Sequence, residues 1–158
     1  MSQIATFQEF HDYFAAIAES HTDITAFRFG EKEVVQCASR SNLPERTLWV
    51  ETYDPVQITD RLSDNHNGLI TSSMVILAPM PKKWADQRAI YCTLEGIAKD
   101  IIAKVIYDWN GGRLQAEFSG WKYGWAEMML GSTEMIGCRI DFTLMRPERL
   151  LYNETKWI

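Results

Sequence analysis

The sequence has no run of apolar residues long enough to cross a bilayer, so no helical membrane span and no membrane partner are expected. Residues Met1 to Phe10 show no basic segment followed by an apolar one. No secretory signal is therefore expected, and the chain reads as cytoplasmic. Cysteine is scarce: Cys37, Cys92 and Cys138 lie far apart, with no C-x-x-C pair. An odd, scattered set argues against a disulfide framework or a zinc site and for reduced thiols. Cys92 falls in a helical pattern and Cys138 on an apolar strand face, so both are expected to be buried and inert. Positive charge is also short: 16 Lys and Arg stand against 21 Asp and Glu, for a net charge of −5. No basic run exceeds Lys82-Lys83. Phosphate contacts need a basic patch, so direct nucleic-acid readout is not expected. No G-x-S-x-G elbow, P-loop or G-x-G-x-x-G occurs, and the expectation is a protein without catalysis or cofactor.

What is present suits a folded chain. Apolar residues make up 46% of the 158 positions and aromatics 12%, enough for one domain over 1–158 with a real core. Thr6 and Glu9 form a capping box, and Phe7, Phe10, Phe14 and Ile17 follow at helical spacing. His11 and Asp12 fall off that stripe and are expected in solvent. Ile24 to Phe29 reads as a strand, with a turn at Gly30–Lys32 and a partner strand over Glu33–Ala38. Thr47 to Tyr53 is a third strand. Asp60 to Gly68 is the most polar stretch and reads as a loop or hairpin tip, with Leu69 to Ala78 as the next strand. Lys82 to Tyr107 predicts a long helix with a seam at Ile90, Leu94, Ile97, Ile101 and Val105, closed by Asn110-Gly-Gly112. Leu114 to Leu130 should hold one or two strands around Gly120 or Gly124. In the last strand Ile136, Cys138, Ile140, Phe142 and Leu144 alternate with Gly137, Arg139, Asp141, Thr143 and Met145, up to a stop at Pro147. No β-α-β alternation runs through the chain. The expected class is α+β, an antiparallel or mixed sheet packed against an N-terminal helix and one long helix.

Candidate sites are few. His66 lies near Asp64 in the polar stretch, yet no second ligand stands at metal spacing, and turn chemistry accounts for the Asp and Asn there. Glu45, Glu51 and Asp54 could cluster as carboxylates for acid–base work, although Glu51 alternates with Val50 and reads as solvent-facing. His11 and His21 bracket the first helix without an evident partner. Trp121, Tyr123 and Trp125 fall on one strand face, as a core face or an interface anchor. Arg139, Asp141 and Thr143 form the polar face of the last strand, open to neighbouring subunits if nothing covers it. Leu150, Leu151, Tyr152, Trp157 and Ile158 make the C-terminal segment apolar, which favours packing on a neighbour.

A capped first helix, a strand group with Thr47-Leu-Trp-Val-Glu-Thr-Tyr-Asp-Pro55, a strand–long-helix unit and a terminal strand ending Asp-Phe-Thr-Leu-Met-Arg-Pro147 resemble tail-completion proteins of tailed phages and prophages. The class most similar in order of elements is the tail terminator. The resemblance implies a structural subunit that caps a tail tube as a hexameric ring. Its partners would be further copies of itself and tail-tube or head–neck proteins, in a virion or phage-like particle. Trp121, Tyr123, Trp125, Arg139, Asp141 and Trp157 are the candidate interface residues. The alternative is a small-molecule-binding or enzymatic α+β domain. Its pocket would lie between the sheet and the long helix, with His66 or Glu51 as the polar group.

Overall fold

The sequence periods become two helices and six strands in the computed structural model, which describes residues 4–31, 46–53, 56–60, 66–130 and 133–148. Helix α1 spans Phe7–Ser20. Its capping box forms as the sequence predicts. Thr6 Oγ1 accepts from the Glu9 amide at 3.2 Å, and the Glu9 carboxylate accepts from the amides of Thr6 and Ala5 at 2.9 Å each. Strands β1 (Ala26–Phe29), β2 (Thr47–Val50), β3 (Gln57–Asp60) and β4 (His66–Pro79) follow. Helix α2 spans Trp84–Asn110, and β5 (Glu117–Leu130) and β6 (Thr133–Glu148) complete the order.

The strands form one mixed sheet in the order β1-β2-β4-β6-β5, with β3 beside the first part of β4. Only β1 and β2 run parallel; the other pairs are antiparallel. The central ladder is β4 on β6, where His66 stands opposite Glu148 and Pro79 opposite Met135 without a break. This is the expected α+β class, with helices packed on a sheet.

Alternation explains which face is covered. Ile136, Cys138, Ile140, Phe142 and Leu144 of β6 join Ile70, Met74, Ile76 and Ala78 of β4 in one buried cluster. Phe10, Phe14 and Ile17 of α1 and Leu94, Ile97, Ile101 and Val105 of α2 close that cluster from above. Both helices therefore lie on the same face, as amphipathic stripes on a sheet require. Phe142 sits at the centre, with its ring 5.7 Å from Phe14, 5.4 Å from Phe118 and 5.6 Å from Trp121. The opposite face holds a smaller buried cluster of Trp49, Val75, Leu77 and Met135. Burial on both faces is why Met74 to Ala78 is apolar without alternation.

Several expectations change. The polar stretch Asp60–Gly68 is not all loop: Asp60 ends β3, and His66 to Gly68 belong to β4. Residues 61–65 lie outside the described residues, as does the expected partner strand over 33–38. Pro147 does not stop the last strand, which runs on to Glu148 with Pro147 opposite Asn67. Helix α2 starts and ends later than expected, and Gly112 supplies the positive φ, at 64°. The region Leu114–Leu130 gives one strand, bulged between Ser119 and Lys122 where Gly120 has a φ of 65°. Cys92 is exposed rather than buried, whereas Cys138 is buried. His11 is not simply solvated: its ring meets Phe27 and Phe29 edge-on, and Nδ1 lies 2.8 Å from Asp12.

Candidate interaction surfaces

Three places gather polar or aromatic groups. The first is the sheet face turned away from the helices. Residues of β6 that alternate with the core project there, and so does Glu51, just past β2. Arg139 donates from Nη1 to Glu51 Oε1 at 2.9 Å and from Nη2 to Glu51 Oε2 at 3.0 Å. Its Nε donates to Asp141 Oδ1 at 2.9 Å, and Nη2 also reaches Ser73 Oγ at 2.5 Å. Ser73 in turn donates to Glu51. A two-pronged guanidinium–carboxylate bond is among the stronger and more directional polar contacts. The hydrogen bonds to Glu51, outweighing the opposing effect of burial, hold the Arg139 guanidinium above its ordinary pKa and keep it charged. Across β5, Lys122 stands opposite Asp141 and Ser119 opposite Thr143. The structure thus joins Arg139 and Asp141 with Glu51, which the sequence offered only as part of a carboxylate cluster. Glu45 and Asp54, the other members of that cluster, lie outside the described residues. Glu51 also lies on the wrong face for a pocket beneath α2.

The second place is the aromatic row of β5. Trp121 turns inward and stacks on Phe118 at 5.7 Å with ring planes 9° apart. Tyr123 and Trp125 reach only the flank of α2. Trp125 meets Tyr91 edge-on at 4.5 Å, and the Tyr123 hydroxyl lies 3.3 Å from Glu95 Oε1. Both are about half exposed. Trp157 lies outside the described residues.

The third place escaped the sequence reading. A cleft of about 390 Å³ opens between α1 and the end of α2, lined in part by Tyr13, Ile17, Lys104, Asp108 and Arg113. Asp108 is buried there. Lys104 Nζ donates to both of its carboxylate oxygens, at 2.6 and 2.7 Å, and the Tyr13 hydroxyl donates to Oδ2 at 3.1 Å. Burial and the neighbouring carboxylate hold the Tyr13 hydroxyl well above its ordinary pKa, so it stays a donor. The signal was readable. Asp108 continues the stripe Leu94, Ile97, Ile101, Val105, and a carboxylate on an apolar stripe needs a partner.

The histidines scatter. His21 Nε2 lies 3.5 Å from Asp100, and its Nδ1 accepts from the Asp23 amide. His66 opens β4 opposite Glu148, near a buried Arg146 that donates to Glu148 at 2.7 Å and covers the Tyr53 ring. His66 Nδ1 and Arg146 Nη1 are buried without a hydrogen-bond partner. Among the described residues no group of three or more His, Cys, Asp or Glu is placed to hold a metal, and no helix is long and apolar enough to cross a membrane. No family model matches the chain, and no curated protein matches it.

Proposed function

We infer that this chain is a structural assembly subunit, working through repeated protein–protein contacts as a ring-forming tail-terminator or tail-completion component of a phage-like tail. The observation that carries the reading is the sheet face opposite the helices. It presents a fixed lattice of charges, Arg139 between Glu51 and Asp141, with Ser73 locking the geometry. Preorganised charge on a sheet face sets orientation and partner choice across an interface. Identical copies meeting through such a face and a different surface on the neighbour close into a ring when the rotation allows. The order of elements supports the tail assignment through the resemblance stated above.

The test is the DNA beside the gene. Neighbours encoding a tail tube, a long helical tape-measure protein or a portal support the reading. Neighbours encoding only metabolic enzymes or transporters overturn it. One observation favours a second reading, a ligand-binding α+β domain: the cleft with Tyr13, Lys104, Asp108 and Arg113. Thermal-shift screening of small acids separates the two, because a ring subunit owes no stability to such a ligand.

A further inference from the structure

We propose that the cleft between α1 and the end of α2 is a carboxylate site, taking an acid group on a short apolar stem, with Arg113 and Lys104 as its two cations.

The cleft exists because α1 turns small side chains toward α2. Ala16 and Ser20 stand one helical turn apart, and both line it. A larger side chain at Ala16 would intrude on the space of about 390 Å³, a volume in the ordinary range for small-ligand sites. The Tyr13 ring and Ile17 complete the α1 wall. The Ser20 hydroxyl donates back to the Ile17 carbonyl, and the Tyr13 hydroxyl donates to Asp108. What α1 leaves for a ligand is therefore mainly apolar surface. The charges come from α2 and the turn after it.

Asp108 organises that charged side. It is 5% exposed, and both carboxylate oxygens are engaged, by Lys104 on each and by Tyr13 on Oδ2. Its backbone carbonyl accepts from the Arg113 amide at 2.9 Å, just after Gly112 turns the chain with a φ of 64°. One residue thus places both cations, Lys104 through its side chain and Arg113 through its backbone. The Arg113 guanidinium lies over the Tyr107 ring, 5.1 Å from its centroid. Among the described residues no hydrogen bond or ion pair holds that guanidinium.

The charge balance selects an anion. Lys104 and Arg113 face the single carboxylate of Asp108, which leaves one positive charge in excess on a chain of net −5. Lys104 Nζ has three N–H donors, and Asp108 takes two of them. The third and the fork of Arg113 remain for an acceptor. An incoming cation finds none, because Asp108 is enclosed and already bonded. A guanidinium takes a carboxylate through two parallel bonds. A phosphate dianion would exceed the one surplus charge and leave the apolar wall without a partner. The site does not depend on the tail reading. A free acid in it deepens the ligand-binding reading given above, whereas a C-terminal carboxylate beside an apolar side chain of a neighbouring protein serves assembly.

Titration of the full chain with phenylacetate and hexanoate, followed through backbone amide shifts by NMR, tests it. Each acid is expected to shift the amides of Ala16, Ser20 and Arg113. Each should bind roughly tenfold or more tightly than its uncharged amide, phenylacetamide or hexanamide. A short peptide ending in phenylalanine with a free C-terminus, against the same peptide amidated, is the second arm. Tighter binding of the peptide than of the free acids names a protein as the source, and the reverse names a small molecule. Arg113→Gln and Ala16→Leu are each expected to weaken binding roughly tenfold. Both positions are exposed, so the fold survives, which circular dichroism checks. Amides that bind as well as acids overturn the proposal. So does binding unchanged in either variant, or the absence of shifts at those three amides with both acids and the peptide at about 10 mM. Such a failure leaves the tail reading standing, because the neighbouring genes decide that reading.

Discussion

Tyr13 shows what one buried contact does to stability. Its hydroxyl donates to Asp108 while Lys104 holds the same carboxylate. The folded state keeps the Tyr13 proton at a pH where an unfolded tyrosine, with a pKa of about 10, has lost it. The raised value means this stabilisation is complete below about pH 10 and drains away as pH climbs further. Thermal melts across that range are expected to show a steeper alkaline loss in the wild type than in Tyr13→Phe. At neutral pH the Phe variant should be about 1 kcal/mol less stable, because one hydrogen bond is gone and Lys104 still pairs with Asp108. The thiols make a second residue-level contrast. Burial pushes the Cys138 thiol up to about 11, whereas Cys92 is exposed. Timed alkylation of the folded chain with peptide mapping is expected to modify Cys92 well before Cys138. Equal rates would mean that β6 opens readily.

The two helices begin differently, and the difference is measurable. Helix α1 has its capping box, so Thr6→Ala is expected to lose about 1 kcal/mol in chemical denaturation. Helix α2 begins at Lys83, whose side chain caps nothing, and a cation there opposes the helix dipole. Lys83→Asp is expected to gain about 1 kcal/mol by the same assay. At this scale the sequence was most legible where one rule acts alone. The alternation of β6 is clearest from Cys138 to Leu144, where only the helix-covered face is buried. The stripes of both helices survive for the same reason. Strand β3 was missed because Gln57-Ile-Thr-Asp60 is too short to show a period, and its pairing with His66–Leu69 supplies the order. Asp108 was missed because charges on a helix are ordinarily solvated, and the Tyr13 hydroxyl that joins Lys104 in holding it is 95 positions away. Glu51 and Arg139 are 88 positions apart, and no local pattern announces that contact.

For the whole molecule, the sheet-face charges are a surface that experiment can test apart from the fold. If the proposed tail reading holds, Arg139→Ala is expected to prevent ring formation with a tail-tube protein, as seen by electron microscopy, while the isolated subunit keeps its melt within about 1 kcal/mol, as for partly exposed ion pairs. Loss of the fold in that variant would make Arg139 a structural residue instead. The central ladder carries a different consequence, one of time. Every residue of β4 finds its place against β6, yet α2 and β5 lie between them in the chain. That loop must close before the ladder can reward it, whereas the β5–β6 hairpin and α2 need only local contacts. Refolding from denaturant should therefore show helix and hairpin signals ahead of core burial. During that interval the apolar run Met74–Ala78 waits without its partner strand, and the newly made chain is most prone to aggregate.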